Sequence, residues 1–236
     1  MSSQLLENKL VFCGGFVLLK EGFSERYTRD VDMICSGSNH EEIIEEIKMV
    51  INKDLGDGIW FGDTLVEKIQ EGIHYGGVRF RPLYKVGLPS PSKDDIKKLR
   101  RVHLDLSFQS ISSQMSISSV MSGIIEGFEN ISWCIYPVEF TAADKLHALI
   151  SREGLSSRAK DVYDLSLILI KCDKKKLRFS LSHTFSVRKT TLDQSVLRTL
   201  KNLGTYSLQQ NWPKLEIKNK KFDECWNNII DYFDKF

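Results

Sequence analysis

Hydrophobic and polar positions alternate most regularly from Val102 to Phe108: Val102, Leu104, Leu106 and Phe108 fall on one side, His103, Asp105 and Ser107 on the other. A period of two predicts a strand with one buried face. Tyr27 to Ile34 reads the same way, with Val31 and Met33 on one side and Asp30 and Asp32 on the other. Between these segments the period lengthens. Ile43, Ile44, Ile47, Val50 and Ile51 form one apolar stripe, which predicts a helix to about Asn52, opened by a capping box of Ser38 and Glu41. Gly76-Gly77 leads into another strand, Val78 to Tyr84. Leu5 to Lys20 reads as a helix or buried element broken at Gly14-Gly15. Gly56 to Gly62 reads as a turn-rich break and Thr64 to Glu71 as a short helix. A solvated loop with a short helix is expected around Pro89 and Pro91, and a mobile loop or lid over the serine-rich stretch Ser110 to Ser122.

After Pro137 the pattern becomes helical. Thr141 to Glu153 and Ser157 to Lys171 read as helices joined by a turn at Gly154, and the chain ends in an amphipathic aromatic segment from Phe222 to Phe236. The expected organisation is therefore a mixed α/β domain over residues 1–137 followed by a helical domain over 138–236.

Composition narrows the class. The chain has 236 residues, 42% of them hydrophobic and 27% charged, enough for a real core in one large or two small domains. A net charge of +2 gives no global field, so any surface for a polyanion must come from local clustering. The five cysteines are scattered and contain no Cys-x-x-Cys pair, which argues against a disulfide framework or zinc site and for buried thiols in a reducing compartment. Met1 to Lys9 lacks the apolar run of a signal peptide, and Leu10 to Leu19 is too short to span a bilayer. A cytoplasmic protein without a membrane segment is expected.

The chemistry concentrates in carboxylates. Asp30 and Asp32 at i and i+2 on a strand project on the same side. Two hard anions so close suit a divalent cation that also holds substrate phosphates, and Asp105 on a neighbouring strand would make a third ligand. An exposed polar strand face is the plain alternative for each. Gly14-Gly15 permits close backbone approach to a triphosphate or serves a turn, and Thr28 adds a hydroxyl before Asp30. Lys145 and Arg152, seven residues apart on one helix, form either a phosphate-gripping ridge or a solvated basic edge. Asp161 and Asp164 share a helix face. They could orient Lys145 or Arg152, accept a proton from an attacking hydroxyl, or form a structural bridge between helices. From Lys171 to Lys201 nine Lys and Arg stand against Asp173 and Asp193, with Phe179 and Phe185 interleaved. That is either a strip for a phosphate backbone or a solvated helix face. The histidines show no ligand spacing, and His103 alone lies close to a candidate carboxylate in sequence.

In their order, Gly14-Gly15, Arg26-Tyr-Thr-Arg-Asp-Val-Asp32, His103-Leu-Asp-Leu-Ser107, Ala143-Asp-Lys-Leu-His-Ala-Leu149 with Arg152, and Lys160-Asp-Val-Tyr-Asp-Leu165 resemble the AbiEii/AbiGii toxin family of the polymerase-β-like nucleotidyltransferase superfamily. The resemblance spans roughly residues 10 to 170. It implies an N-terminal nucleotidyltransferase domain with a mixed sheet and a helical C-terminal domain that completes the nucleotide site. It further implies Asp30 and Asp32 as the metal pair for Mg²⁺ or Mn²⁺, Asp105 as third carboxylate, and Lys145 as the nucleotide-contacting lysine. Asp161 or Asp164 is the later acid, and Gly14, Gly15, Thr28 and Arg152 join Lys145 on the NTP. Thr28 stands where the family usually has Ser, and Arg29 where it often has an acidic or polar residue. The implied function is transfer of NMP from an NTP to an RNA acceptor, tRNA foremost, by a toxin of a toxin–antitoxin or phage-defence system with a cognate antitoxin. A same-fold transferase acting on a protein or small-molecule hydroxyl, and a non-catalytic nucleotide or RNA binder, are the alternatives. A metal-dependent glycosyltransferase also uses Asp-x-Asp, but the chain is expected to lack an early Rossmann-like strand–glycine–helix unit and has the Lys145 block instead.

Overall fold

A computed structural model describes residues 6, 9–37, 39–71, 75–122, 130–152, 158–191, 196–217 and 219–236. The chain divides into two compact units, one of residues 1–17 and 27–135 and one of 18–26 and 136–236.

The first unit is built on a mixed sheet. Its strands are β1 (Leu10–Cys13), β2 (Asp30–Cys35), β3 (Ile59–Glu71), β4 (Tyr75–Val86), β5 (Arg100–Arg101), β6 (His103–Phe108), β7 (Ile117–Met121) and β8 (Ile131–Ile135). The order is β3-β4-β6-β2-β1-β8-β7, with β5 on β4. β2 runs parallel to β6 and antiparallel to β1, while β4 runs antiparallel to β6. Because successive side chains alternate across a strand, Met33, Val78, Phe80 and Leu106 share one face, where helix α2 (His40–Ile51) covers them with Ile43 and Ile47. Burying each of those isoleucines contributes roughly 1.5–3 kcal/mol. Asp30, Asp32, Asp105 and Arg79 alternate onto the opposite face.

Four expectations change. Leu10 to Cys13 is a strand, and the helix α1 (Gly14–Lys20) begins at the glycine pair instead of being broken by it. Residues 27–29 precede β2, which opens at Asp30. Thr64 to Glu71 is not a helix but the second part of β3, paired residue by residue with β4. A register shift between Gly62 and Leu65, with Asp63 at φ 45°, interrupts the period of two and hides the strand from a reading of the sequence. Arg101 pins this bulge through the Asp63 carbonyl and carboxylate, both at 2.6 Å. The serine-rich segment is also regular. A short 3-10 turn, Ser113–Met115, sinks Met115 into the core, and β7 then pairs with β8 at the sheet edge. An edge strand with Ile117 and Val120 exposed needs no buried face, so its serines carry no strand pattern. The proposed cap at Ser38 falls outside the described residues; Asn39 caps α2 by accepting from the Glu42 amide.

The second unit holds helices α4 (Val138–Ser151), α5 (Ala159–Ile168), α6 (Lys174–Val187), α7 (Val196–Asn202), α8 (Tyr206–Asn211) and α9 (Phe222–Asp234). The four-residue helix α3 (Lys93–Ile96) belongs to the first unit. Leu146, Leu149, Val162, Leu165, Leu177, Leu181, Leu200, Leu208 and Ile229 form the core of the second unit. The Gly154 turn lies outside the described residues. No helix among the described residues is long and apolar enough to cross a membrane.

Candidate active site

On the polar face of the first unit's sheet, register places acids and bases in rows. Asp32 lies opposite Asp105, and Asp105 lies opposite Arg79, so the three side chains stand abreast on β2, β6 and β4. Asp30 lies opposite His103, whose Nδ1 is 3.5 Å from its carboxylate. Arg79 grips both oxygens of Asp105, donating from Nε at 2.7 Å and from Nη2 at 2.6 Å. The pair raises the guanidinium above its ordinary pKa, first through the hydrogen bond to Asp105 and against the cost of burial, with Asp105, Asp30 and Glu67 adding their charge.

Gly14 closes the other side of Asp32. Its φ is +72°, and a Cβ there would lie 2.1 Å from the Asp32 Oδ2. Only glycine lets the backbone come this close to the carboxylate. Asp30 and Asp32 thus offer hard oxygen donors from one strand, the second lodged in a cradle that a side chain would fill, which suits Mg²⁺ or Mn²⁺. Among the described residues no three His, Cys, Asp or Glu side chains are gathered as a metal cage. The third carboxylate of the row has both oxygens turned to Arg79. Thr28, expected on the same strand face, lies ahead of β2, its hydroxyl 3.4 Å from the Asp30 carbonyl.

In the second unit Lys145, Asp161 and Asp164 come together as a buried network. The Lys145 ammonium donates to Asp161 at 3.0 Å and to Asp164 at 2.7 Å. Arg26 holds Asp164 with Nε at 3.3 Å and Nη2 at 2.9 Å, Ser24 donates to the same carboxylate at 3.3 Å, and Arg158 donates to Asp161 at 3.1 Å. Burial pulls the Lys145 pKa down, but the charges of Asp164 and Asp161 override it and hold it above the usual ammonium value. Burial likewise opposes ionisation of Asp164, and Lys145 and Arg26 more than reverse that, leaving its pKa lowered. Arg152 is not part of the network: it stands exposed at the end of α4. Arg79, Ser24, Arg26 and Arg158 were not singled out in the sequence for these roles. Arg79 alone left a trace, as a cation on a strand whose neighbour carries acids on the matching face.

The profile of the nucleotidyl transferase AbiEii toxin family, type IV toxin–antitoxin system, matches residues 1–233. This chain belongs to that family. It is an AbiEii nucleotidyltransferase with a mixed α/β fold. Two solved structures resemble it distantly. The crystal structure of JHP933 from Helicobacter pylori is 19% identical, covering 89% of this chain and 87% of that one, with a TM-score of 0.37. The crystal structure of an antigenic nucleotidyltransferase-like protein from Paracoccidioides brasiliensis is 16% identical, covering 79% and 84%, with a TM-score of 0.43. No curated protein matches the chain.

Two features beyond the acids bear on the AbiEii chain. The basic run after Lys171 is partly consumed inside the molecule. Lys174 donates to the Lys235 carbonyl, Arg178 to that of Phe236, and Arg188 to Asp144, while Lys201 pairs with Asp234. Lys171, Lys175, Lys176 and Lys189 are exposed, as is Phe179, stacked on His183; Phe185 is core and not surface. Beside this run, His147 is buried. Arg188 donates to its Nδ1 at 3.0 Å, and arginine cannot accept, so the ring proton sits on Nε2, 2.9 Å from the Thr190 hydroxyl. Burial first, then Arg188 and Arg152, push its pKa down from 6.5 to about 4. A histidine depressed in the fold takes up its proton more readily when unfolded, so stability should fall as pH drops from about 6.5 to about 4 and level off below. The loss is at most about 3 kcal/mol. Urea unfolding across that window should show this slope, and His147→Gln should flatten it; an unchanged slope in that variant would reject the assignment.

Proposed function

We propose that this toxin transfers NMP from an NTP to an RNA acceptor, tRNA foremost, with Mg²⁺ or Mn²⁺ held by Asp30 and Asp32. The observation that carries the reading is the pressing of Gly14 backbone against the Asp32 carboxylate, with Asp30 two residues away on the same strand face. Such a divalent ion supplies neutralising charge for the triphosphate. Asp30 and Asp32 present the oxygens, Gly14 fixes where Asp32 points, and the His103 ring stands beside Asp30 with Nδ1 3.5 Å from its carboxylate. Gly15 and Thr28 belong with the same end of β2 and α1. The buried contacts of Lys145 support a role in which Asp161 and Asp164 together set its charge and direction, and both acids are needed for that. Arg152, exposed, stays assigned to the nucleotide.

The exposed Lys171, Lys175 and Lys176 with Phe179 support a polyanionic acceptor that offers bases to stack on. Five free cysteines support a reducing, cytoplasmic setting, and the family supports a cognate antitoxin. The test is transfer of label from each α-labelled NTP to purified tRNA, to total RNA, to lysate protein and to small hydroxylated compounds, with and without divalent metal. Metal-dependent label on tRNA is the expected result. Label on protein or a small molecule alone would replace the acceptor. NTP binding without transfer to any of the four would make the chain a binder and not a transferase.

A further inference from the structure

On the polar face of the sheet Arg79 and Asp105 form a bidentate ion pair beside Asp30 and Asp32. Three acids stand close on that face: Asp30 and Asp32 on β2, and Asp105 directly across from Asp32 on β6. Like charges facing each other across neighbouring strands destabilise a sheet. Arg79 stands across from Asp105 on β4, and its guanidinium takes both carboxylate oxygens in the planar fork that only arginine provides. Its side chain is 36% exposed and that of Asp105 18%, so the pair sits at the boundary of solvent and core, where it can be opened. Behind it β3 places Glu67 directly across from Arg79, and Glu67 is bonded to Arg81 at 2.7 Å. A second carboxylate is therefore in register to receive the guanidinium when it leaves Asp105.

We infer that Arg79 is the resident counter-ion of Asp105 and that a divalent cation at the acid pair competes with it for that carboxylate. The proposal rests on the reading of Asp30 and Asp32 as a metal pair and adds a positioning residue to it. Without metal, Arg79 balances the surplus of acids and holds Asp105 away from a metal-binding arrangement. With a divalent ion bound at the acid pair, the Asp105 carboxylate would be available to help hold it and Arg79 would turn toward Glu67. Only ion contacts are exchanged; no covalent bond changes.

Binding of Mn²⁺ to the purified protein, followed by the loss of the free-ion paramagnetic resonance signal, tests this without any turnover. Arg79→Gln should bind Mn²⁺ about tenfold more tightly than the native chain, because one positive charge beside the site is gone and Asp105 is released. Arg79→Gln combined with Asp105→Asn should lose that gain. Arg79→Lys keeps the charge without the fork and should fall between; it also serves if the glutamine variant does not fold, as judged by circular dichroism. Equal Mn²⁺ affinity in the native chain and both Arg79 variants, with binding still abolished by Asp32→Ala, overturns the role of Arg79 alone. A double variant as tight as Arg79→Gln overturns the transfer of Asp105. Absence of any Asp32-dependent Mn²⁺ binding overturns the acid pair itself, and this inference with it.

Discussion

Replacing Asp164 by alanine is expected to lower the stability of the chain by about 3–5 kcal/mol, the range seen when one partner of a buried ion pair is removed. Asp164 is fully buried and receives Lys145 at 2.7 Å, Arg26 at 2.9 Å and Ser24 at 3.3 Å. The network holds three cations, Lys145, Arg26 and Arg158, against two carboxylates. Deleting Asp164 leaves Asp161 to balance them all, and burial then acts on Lys145 with nothing adequate to oppose it. Single domains are stable by only about 5–15 kcal/mol, so about a fifth or more of the total is at risk. Urea unfolding of the variant measures the loss. A change under about 1 kcal/mol would show that the network is solvated in solution and does not hold α4 to α5. The folded pKa of Asp164 is lowered, so its contribution is complete above the ordinary carboxylate value and disappears only as pH falls through the folded one.

What could be read in the sequence follows from how local each cause is. The α2 stripe and the alternation of β6 depend on neighbours in the chain, and both elements stand where the pattern puts them. The parallel pairing of β2 with β6 sets Asp32 beside Asp105 and Asp30 beside His103, a register that no pattern within either strand shows. The misses have distant causes. β3 carries a bulge whose hold comes from Arg101, 38 residues away, so no local period marked it. β7 is an edge strand, and its serines satisfy a sheet with no buried face to write into the pattern. The cations that answer the acids were out of reach for the same reason. Arg26 and Asp164 are 138 residues apart, and Arg79 and Asp105 are 26 apart, so which arginine meets which aspartate is decided by topology and register. Acids could be flagged by spacing along one strand; their partners could not.

Asp32→Asn is expected to reduce NMP transfer by on the order of 10³-fold while leaving stability within about 1 kcal/mol of the native chain. The amide keeps the shape of the carboxylate and removes its charge. Losing one anionic ligand forfeits several kcal/mol of charge stabilisation at the transferring phosphate, and each ~1.4 kcal/mol is a factor of ten in rate. Stability should move little, because the amide is isosteric with the carboxylate and keeps an oxygen that accepts hydrogen bonds. Gly14→Ala tests the same carboxylate from the backbone side. Its Cβ would meet Asp32 Oδ2 at 2.1 Å, so the carboxylate or the strand must shift. The φ of +72° adds roughly 1–2 kcal/mol of strain for any residue with a Cβ. That variant should therefore lose activity and stability together, whereas Asp32→Asn loses activity alone. The contrast separates a carboxylate that acts on the reaction from one that merely packs. Transfer within tenfold of native by a folded Asp32→Asn protein would remove Asp32 from the metal pair, whatever Gly14→Ala does.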